Sequence, residues 1–172
     1  TISAMTIFLF KPARIWLLPL LVASQAIPVF AIAPLLVLWL GYGISSKIAM
    51  AILIIFFPVT ANFLDGLKKT RQDWIQLAKI MANETKLSKY LIFRYIHIPA
   101  ALPNLGSGLR VAAAVAPIGA IVGEWVGSGS GLGYLMLQSN AKFQINLMFA
   151  SLIVIIFTSL IIYFSIDQII KF

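Results

Sequence analysis

The chain has 172 residues, of which 61% are hydrophobic and 10% charged, against about 45–50% and about 25% in soluble domains. A soluble fold of this size could not keep so much apolar surface away from water, so the solvent is a membrane. The net charge of +8 then reflects the Lys and Arg that collect in the cytoplasmic loops of membrane proteins, and nucleic-acid binding is not expected. The absence of cysteine excludes disulfides and thiolate metal sites.

Two apolar segments open the chain. Residues 1–10 are too short to span a bilayer and are predicted to be the tail of a helix, which the basic segment 11–14 breaks. Because no starting Met or basic leader precedes this apolar run, we expect at least one N-terminal span to be missing. Residues 15–40 carry no charge and can cross about 30 Å of hydrocarbon. The three prolines in this segment predict a kinked or broken span: Pro19, Pro28 and Pro34.

Three further spans are predicted, at residues 47–65, 100–125 and 143–167. A turn at residues 41–46 precedes the first of them, and a glycine-rich connection at residues 126–142 separates the last two. The fold expected is an all-α integral membrane protein, a polytopic helical bundle in one domain covering residues 1–172.

Residues 66–99 form a 34-residue polar connection with seven basic and two acidic side chains. Because basic loops stay in the cytoplasm, this connection is predicted to be cytoplasmic, and residues 126–142 are predicted to lie on the other side. Its apolar residues fall at helical spacing, which predicts two short amphipathic helices closed by Pro99: Trp74, Leu77, Ala78 and Met81, then Leu87, Tyr90, Leu91 and the stem of Arg94. Such a stripe either packs on the protein's own spans, lies in the lipid interface, or docks a cytoplasmic partner.

The same connection resembles the cytoplasmic "EAA" signature of permeases in binding-protein-dependent ATP-binding-cassette (ABC) importers. The consensus there is Glu-Ala-Ala, three residues, Gly, nine residues and Ile-x-Leu-Pro. Ile96, Ile98 and Pro99 match its end, while Gln76-Leu77-Ala78 and Ala82 stand at its start. The interval between Ala82 and Ile96 is then four residues longer than the consensus, about one helical turn. Counting back from Ile96 instead would place residues 80–82 at the start of the signature.

Other segments resemble the same family in the same order: residues 28–39, 56–59, 109–112, 123–127 and 131–136. The last two are similar to the branch that imports nitrate, sulfonates, taurine and the hydroxymethylpyrimidine precursor of thiamine, and residues 140–150 favour the pyrimidine members. The resemblance implies the type I importer permease fold and a site for ATPase coupling, formed by Trp74, Gln76, Leu77, Ala78, Met81, Ala82, Ile96, Ile98 and Pro99.

That resemblance also implies the partners: cytoplasmic ATPase subunits, an extracytoplasmic solute-binding protein and a second permease copy in a bacterial inner membrane. No residue set indicates catalysis, and the sequence has no phosphate-binding Gly-rich loop with lysine. ATP and magnesium would therefore be used by the ATPase partner, with no cofactor bound by this chain. The alternative function is a secondary transporter or channel-like protein driven by an ion gradient. Such a protein would favour more ionisable residues within the membrane than Glu124 and Arg110 alone.

The third predicted span carries the candidate residues of the translocation path, which are Gly119, Gly123, Glu124 and Trp125. Gly119, Gly123 and Gly127 recur every fourth residue, a spacing that allows close helix packing and also suits a helix along the path. Glu124 either faces the path or anchors the span at the membrane interface beside Trp125. Arg110 is expected to be structural, and a proton-relay role for His97 is a lesser alternative.

Overall fold

The computed structural model describes residues 1–81 and 86–171, and the regular structure in these ranges is helical. Nine α-helices and a π-helical turn between the sixth and seventh follow in chain order: α1 (Ile2–Leu9), α2 (Lys11–Ala26), α3 (Val29–Leu40), α4 (Ile44–Lys68), α5 (Gln72–Met81), α6 (Lys86–Ile92), the π turn (Phe93–His97), α7 (Ile98–Gly127), α8 (Leu132–Ala141) and α9 (Ile145–Lys171). In the described ranges, α4, the continuous helix Lys89–Gly127 and α9 are long and apolar enough to cross a membrane. The prediction of an all-α membrane protein is confirmed.

The first predicted span is broken, as its prolines indicate. Helices α2 and α3 meet at an angle of 101°, and together they satisfy the length and composition of a fourth span. The break falls at Pro28, which precedes α3 with φ −60° and ψ 121°. Proline has no N–H to continue the helical ladder, and its ring collides with the carbonyl one turn earlier. Pro19 and Pro34 lie inside α2 and α3 and do not interrupt either helix.

Helix boundaries differ from the prediction at several places. Residues 11–14 do not break a helix but form the first turn of α2, and the interruption lies at Phe10, which is extended at φ −114° and ψ 112°. The connection at 126–142 contains α8, whose ten residues the glycine-rich composition did not indicate. The polar connection is shorter than 66–99, since α4 continues to Lys68.

Pro99 does not close the second helix of that connection. The helix from Lys89 runs on through the π turn into α7, and Pro99 lies in the first turn of α7. The π turn explains how the helix accommodates the proline: the Ile98 N–H bonds to the Phe93 carbonyl, five residues earlier. This wider turn relieves the clash that a proline ring causes in a regular α-helix.

The helices pack into two compact units, Thr1–Pro19 with Val59–Gly108, and Leu20–Pro58 with Leu109–Phe172. The buried core of the first unit consists of residues from α1, α4 and α7: Ala4, Ile7, Phe63, Leu64, Leu67 and Ala101. The buried core of the second unit consists of residues from α3, α4 and α7: Ala33, Leu36, Val37, Met50 and Val122.

Glycines allow α4 and α7 to approach closely within each unit. In the first unit, a Cβ on Gly66 would lie 2.7 Å from the Asn104 Cβ. In the second, a Cβ on Gly119 would lie 2.6 Å from the Cα of Ala51, and one on Gly123 would lie 2.9 Å from the Cγ of Lys47. Small residues at such contacts let helix backbones gain van der Waals contact in lipid.

Candidate functional site

The first unit carries an apolar groove of about 500 Å³ between α5 and the segment formed by the π turn and the start of α7. Trp74, Leu77 and Ala78 of α5 form one wall. The facing wall comes from the π turn and the first turn of α7: Tyr95, Ile96, Pro99 and Ala100. Two segments some 20 residues apart in the sequence thus share one apolar surface.

The walls of the groove are not covered by the described residues. Trp74 is 49% exposed and Leu77 59%, whereas Ile75 is only 9% exposed and packs inward. An apolar helix face left open to water costs free energy in proportion to its area, so it is expected to meet another surface. The Arg71 guanidinium lies 5.6 Å from the Trp74 ring, so a cation borders the apolar face.

The structure brings together five of the nine residues predicted for coupling: Trp74, Leu77, Ala78, Ile96 and Pro99 line the groove. Gln76 is exposed on α5, and Ile98 is half-buried at the start of α7. Ala82 lies outside the described residues, and so does the side chain of Met81. The second predicted stripe begins on α6, where Tyr90 is 62% exposed and Leu91 is 39% exposed.

The four residues predicted for a translocation path have identified partners in the second unit. Gly119 and Gly123 are buried and pack against α4. Glu124 accepts a hydrogen bond of 2.6 Å from the backbone N–H of Gly133, in the first turn of α8. Trp125 meets Phe30 edge to face, with ring centroids 6.2 Å apart. These contacts show how the residues are held, while their role in a path stays a prediction.

The turn before α8 depends on Gly131. This residue adopts φ +116°, a conformation that other L-residues rarely accept. A Cβ at this position would also overlap the Glu124 carboxyl group. A negative charge beside a helix N-terminus is favourable, because the first N–H groups lack helical partners. Glu124 therefore fastens the end of α7 to the start of α8.

An apolar cavity of about 460 Å³ lies beside this turn. Its walls combine two aromatic rings with methionines and one amide: Phe30, Trp125, Val126, Met136, Leu137, Asn140 and Met148. The resemblance to importer permeases gave no residue set for this cavity beyond Trp125. Among the described residues, no group of three His, Asp or Glu side chains could hold a metal ion.

Two polar contacts in the second unit were not predicted from the sequence. Arg110 on α7 forms an ion pair with Asp167 on α9, with side chains 28% and 15% exposed. The Lys47 ammonium donates to the Ser128 hydroxyl at 2.9 Å, where it ties the start of α4 to the glycine-rich turn. The predicted orientation is consistent with the ion pair between Arg110 and Asp167, because it puts the Arg110 end of α7 and the Asp167 end of α9 on the same side of the membrane.

Comparison with known proteins agrees with this architecture. A probable ABC transporter permease of Haemophilus influenzae is 56% identical over 96% of this chain and 66% of its own length. The formylaminopyrimidine transport permease ThiX of Halalkalibacterium halodurans is 46% identical over 73% of the chain and 49% of its own length. The riboflavin transport permease RibX of Chloroflexus aurantiacus is 38% identical over 86% of the chain and 53% of its own length.

The chain thus spans about half to two thirds of the length of these curated relatives. The model of the family described as the binding-protein-dependent transport system inner membrane component matches residues 1–172. The helices found here suit such a multi-pass component. This chain belongs to the family of inner membrane components of binding-protein-dependent transport systems.

Proposed function

We propose that this chain is the translocating permease of an ATP-driven importer and that the groove on α5 docks a cytoplasmic ATPase subunit. The groove between α5 and the π turn carries the proposal, because it gathers both ends of the EAA-like segment on one open apolar face. Its surroundings are basic, with seven Lys and Arg against two acids in residues 66–99. This bias supports a cytoplasmic position for the groove.

The energy source lies in the docked partner under this proposal. ATP and magnesium are bound by the ATPase subunit, and an extracytoplasmic binding protein delivers the solute. A second copy of the permease completes the path in a bacterial inner membrane. Family membership supports these partners, since the family is defined by binding-protein-dependent transport.

We propose a pyrimidine-type heterocycle as the solute. Two relatives with named solutes support this choice: one is named for formylaminopyrimidine and the other for riboflavin, whose ring system includes a pyrimidine portion. Sulfonates, taurine and nitrate are the alternatives. Uptake of the transported solute can be measured with an excess of either hydroxymethylpyrimidine or taurine as competitor. Only the compound that belongs to the true solute class should inhibit this uptake.

The docking proposal is tested by Leu77→Asp in the assembled transporter. A carboxylate placed in an apolar protein interface loses its hydration without gaining a partner, which costs several kcal/mol. We expect ATPase subunits to be lost on purification and ATP-dependent uptake to stop, while the permease still reaches the membrane. Ile80→Asp is the matched control, since Ile80 is 81% exposed on the same helix and is not among the groove-lining residues.

Two outcomes oppose the proposal. Normal co-purification of the ATPase with Leu77→Asp would show that the groove is not the docking site. Uptake into vesicles that proceeds without ATP and collapses with an ionophore would instead favour the ion-driven alternative. Both measurements use the same reconstituted membranes, so poor expression of a variant is detected before transport is compared.

A further inference from the structure

A small polar cluster joins the end of α4 to the π turn. The Thr70 hydroxyl, which is buried at 5% exposure, donates to the Leu67 carbonyl at 3.1 Å. His97 Nδ1 lies 3.1 Å from the Thr70 Oγ1 and 3.3 Å from the Leu67 carbonyl. A carbonyl only accepts and the threonine proton is already used, so Nδ1 carries the hydrogen and donates to both oxygens.

Aromatic contacts fix the imidazole from its other side. The ring centroid of His97 lies 4.9 Å from that of Phe8 on α1 and 6.3 Å from that of Phe93. Phe8 and Phe93 stack on each other at 5.9 Å. Offset and tilted rings at these distances attract one another. The imidazole therefore holds α1, the end of α4 and the π turn together.

This cluster shares its parts with the groove. Thr70 is only two residues from the start of α5, which forms one wall. His97 ends the π turn, whose Tyr95 and Ile96 belong to the other wall. Movement of α5 thus reaches the π turn through the hydrogen bond between Thr70 and His97, in addition to the covalent chain. Single π turns within α-helices occur frequently at functional sites.

We propose that His97 is the positioning residue that transmits displacement of α5 to α7, with Thr70 as its partner. This inference rests on the proposed function, since the displacement comes from the docked ATPase. The bond between His97 and Thr70 keeps α5 and the π turn moving as one body. Without it, α5 moves against α7 and the motion is lost before it reaches the long helix.

Paired substitutions separate the hydrogen bond from the packing. Thr70→Val keeps the size and removes the hydroxyl, whereas Thr70→Ser retains it. His97→Leu keeps apolar contact with Phe8, whereas His97→Asn restores an N–H near the position of Nδ1. Loss of a hydrogen bond of ordinary net strength changes an equilibrium about fivefold. We therefore expect solute transported per ATP hydrolysed to fall about fivefold in Thr70→Val and His97→Leu, and to recover in Thr70→Ser and His97→Asn.

Co-purification of the ATPase distinguishes failure of this inference from failure of the docking proposal. The Thr70 and His97 variants should retain the ATPase, because none of them alters a groove-lining side chain. Thr158→Val is the matched control, since Thr158 on α9 bonds only to its own helix at Val154 among the contacts described. Retained ATPase with an unchanged transport ratio in Thr70→Val would overturn the role of His97 while leaving docking intact.

A second measurement needs no ATPase. Spin labels at Gln76 on α5 and Ser107 on α7, both exposed, report the distance across the cluster in membranes. The distribution should be narrow in the wild type and Thr70→Ser, and clearly broader in Thr70→Val. Equal widths in all three would show that the cluster does not hold α5 to α7, and would overturn the inference whatever the transport result.

Discussion

Replacement of Gly119 by alanine tests the close contact of α4 and α7 in the second unit. The added Cβ would lie 2.6 Å from the Cα and 2.9 Å from the backbone nitrogen of Ala51. Ordinary contact begins at 3.4 Å, so the two helices must separate by about 0.8 Å at this point. Because the obstacle is backbone, no side-chain rotation relieves it, and tight contact is lost along the neighbouring turns.

The expected cost follows from two opposing terms. Overpacking costs about 1–3 kcal/mol, and a backbone obstacle places Gly119→Ala at the upper end. Alanine is also the better helix former by about 1 kcal/mol. The net loss of unfolding free energy should thus be about 2 kcal/mol, measured by denaturant titration in mixed micelles.

Two other glycines provide the controls. Gly129→Ala should change the unfolding free energy by less than about 0.5 kcal/mol, because nothing lies within 4 Å of the added Cβ. Gly123→Ala should fall between the two, since its nearest obstacle is the flexible stem of Lys47. A Gly119→Ala protein as stable as the wild type would refute the reasoning, because helix propensity would then have outweighed the contact.

Three further predictions concern charge. Asp167→Asn leaves Arg110 without its carboxylate and should lower the unfolding free energy by about 3 kcal/mol, whereas a double replacement of both by leucine should recover much of the loss. Glu124→Gln should lower the thermal unfolding midpoint and leave transport per assembled complex unchanged if the residue only fastens α8; slower transport at unchanged stability would indicate a role in the path. A single cysteine at position 86 should react with an impermeant thiol reagent added on the cytoplasmic side, and one at position 130 with the reagent added on the outer side. Labelling from the opposite sides would show that the true topology is the reverse of the predicted one.

The sequence predicted those features that depend on local pattern. Apolar length and proline content were sufficient to predict a kinked or broken first span, because both act through the backbone near the residue itself, but they did not show that Pro28 is the proline at the break. The stripe on α5 was predicted for the same reason, as helical spacing of Trp74 and Leu77 is visible within one turn. The open groove was not predicted, since it forms only where α5 and the π turn meet, and these segments are separated in the sequence.

Features that depend on distant partners were missed. The sequence at the start of helix α8 is rich in glycine, which is typical of a loop. The contact that holds this start is a hydrogen bond from its first turn to the Glu124 carboxylate on α7, which is not visible in the local sequence. Pro99 was expected to end a helix, because a proline usually does, and the π turn that accommodates it has no sequence signature. The contacts of His97 were not predicted, and a proton relay was only a lesser alternative for it, since neither Thr70 nor Phe8 is near it in the chain.

The placement of the charged groups favours energy input from a partner over ion coupling. An ion-driven carrier needs an ionisable group that changes its partner or its proton as the ion moves. In the part of the chain that the structure describes, Arg110 is paired with Asp167 on a second helix, and Glu124 is bonded to the backbone of a third. Each group fastens helices together, so exchange of its partner would loosen the bundle. The apolar face on α5 stays exposed at Trp74 and Leu77 among the described residues, which supports the proposal that a partner docks there.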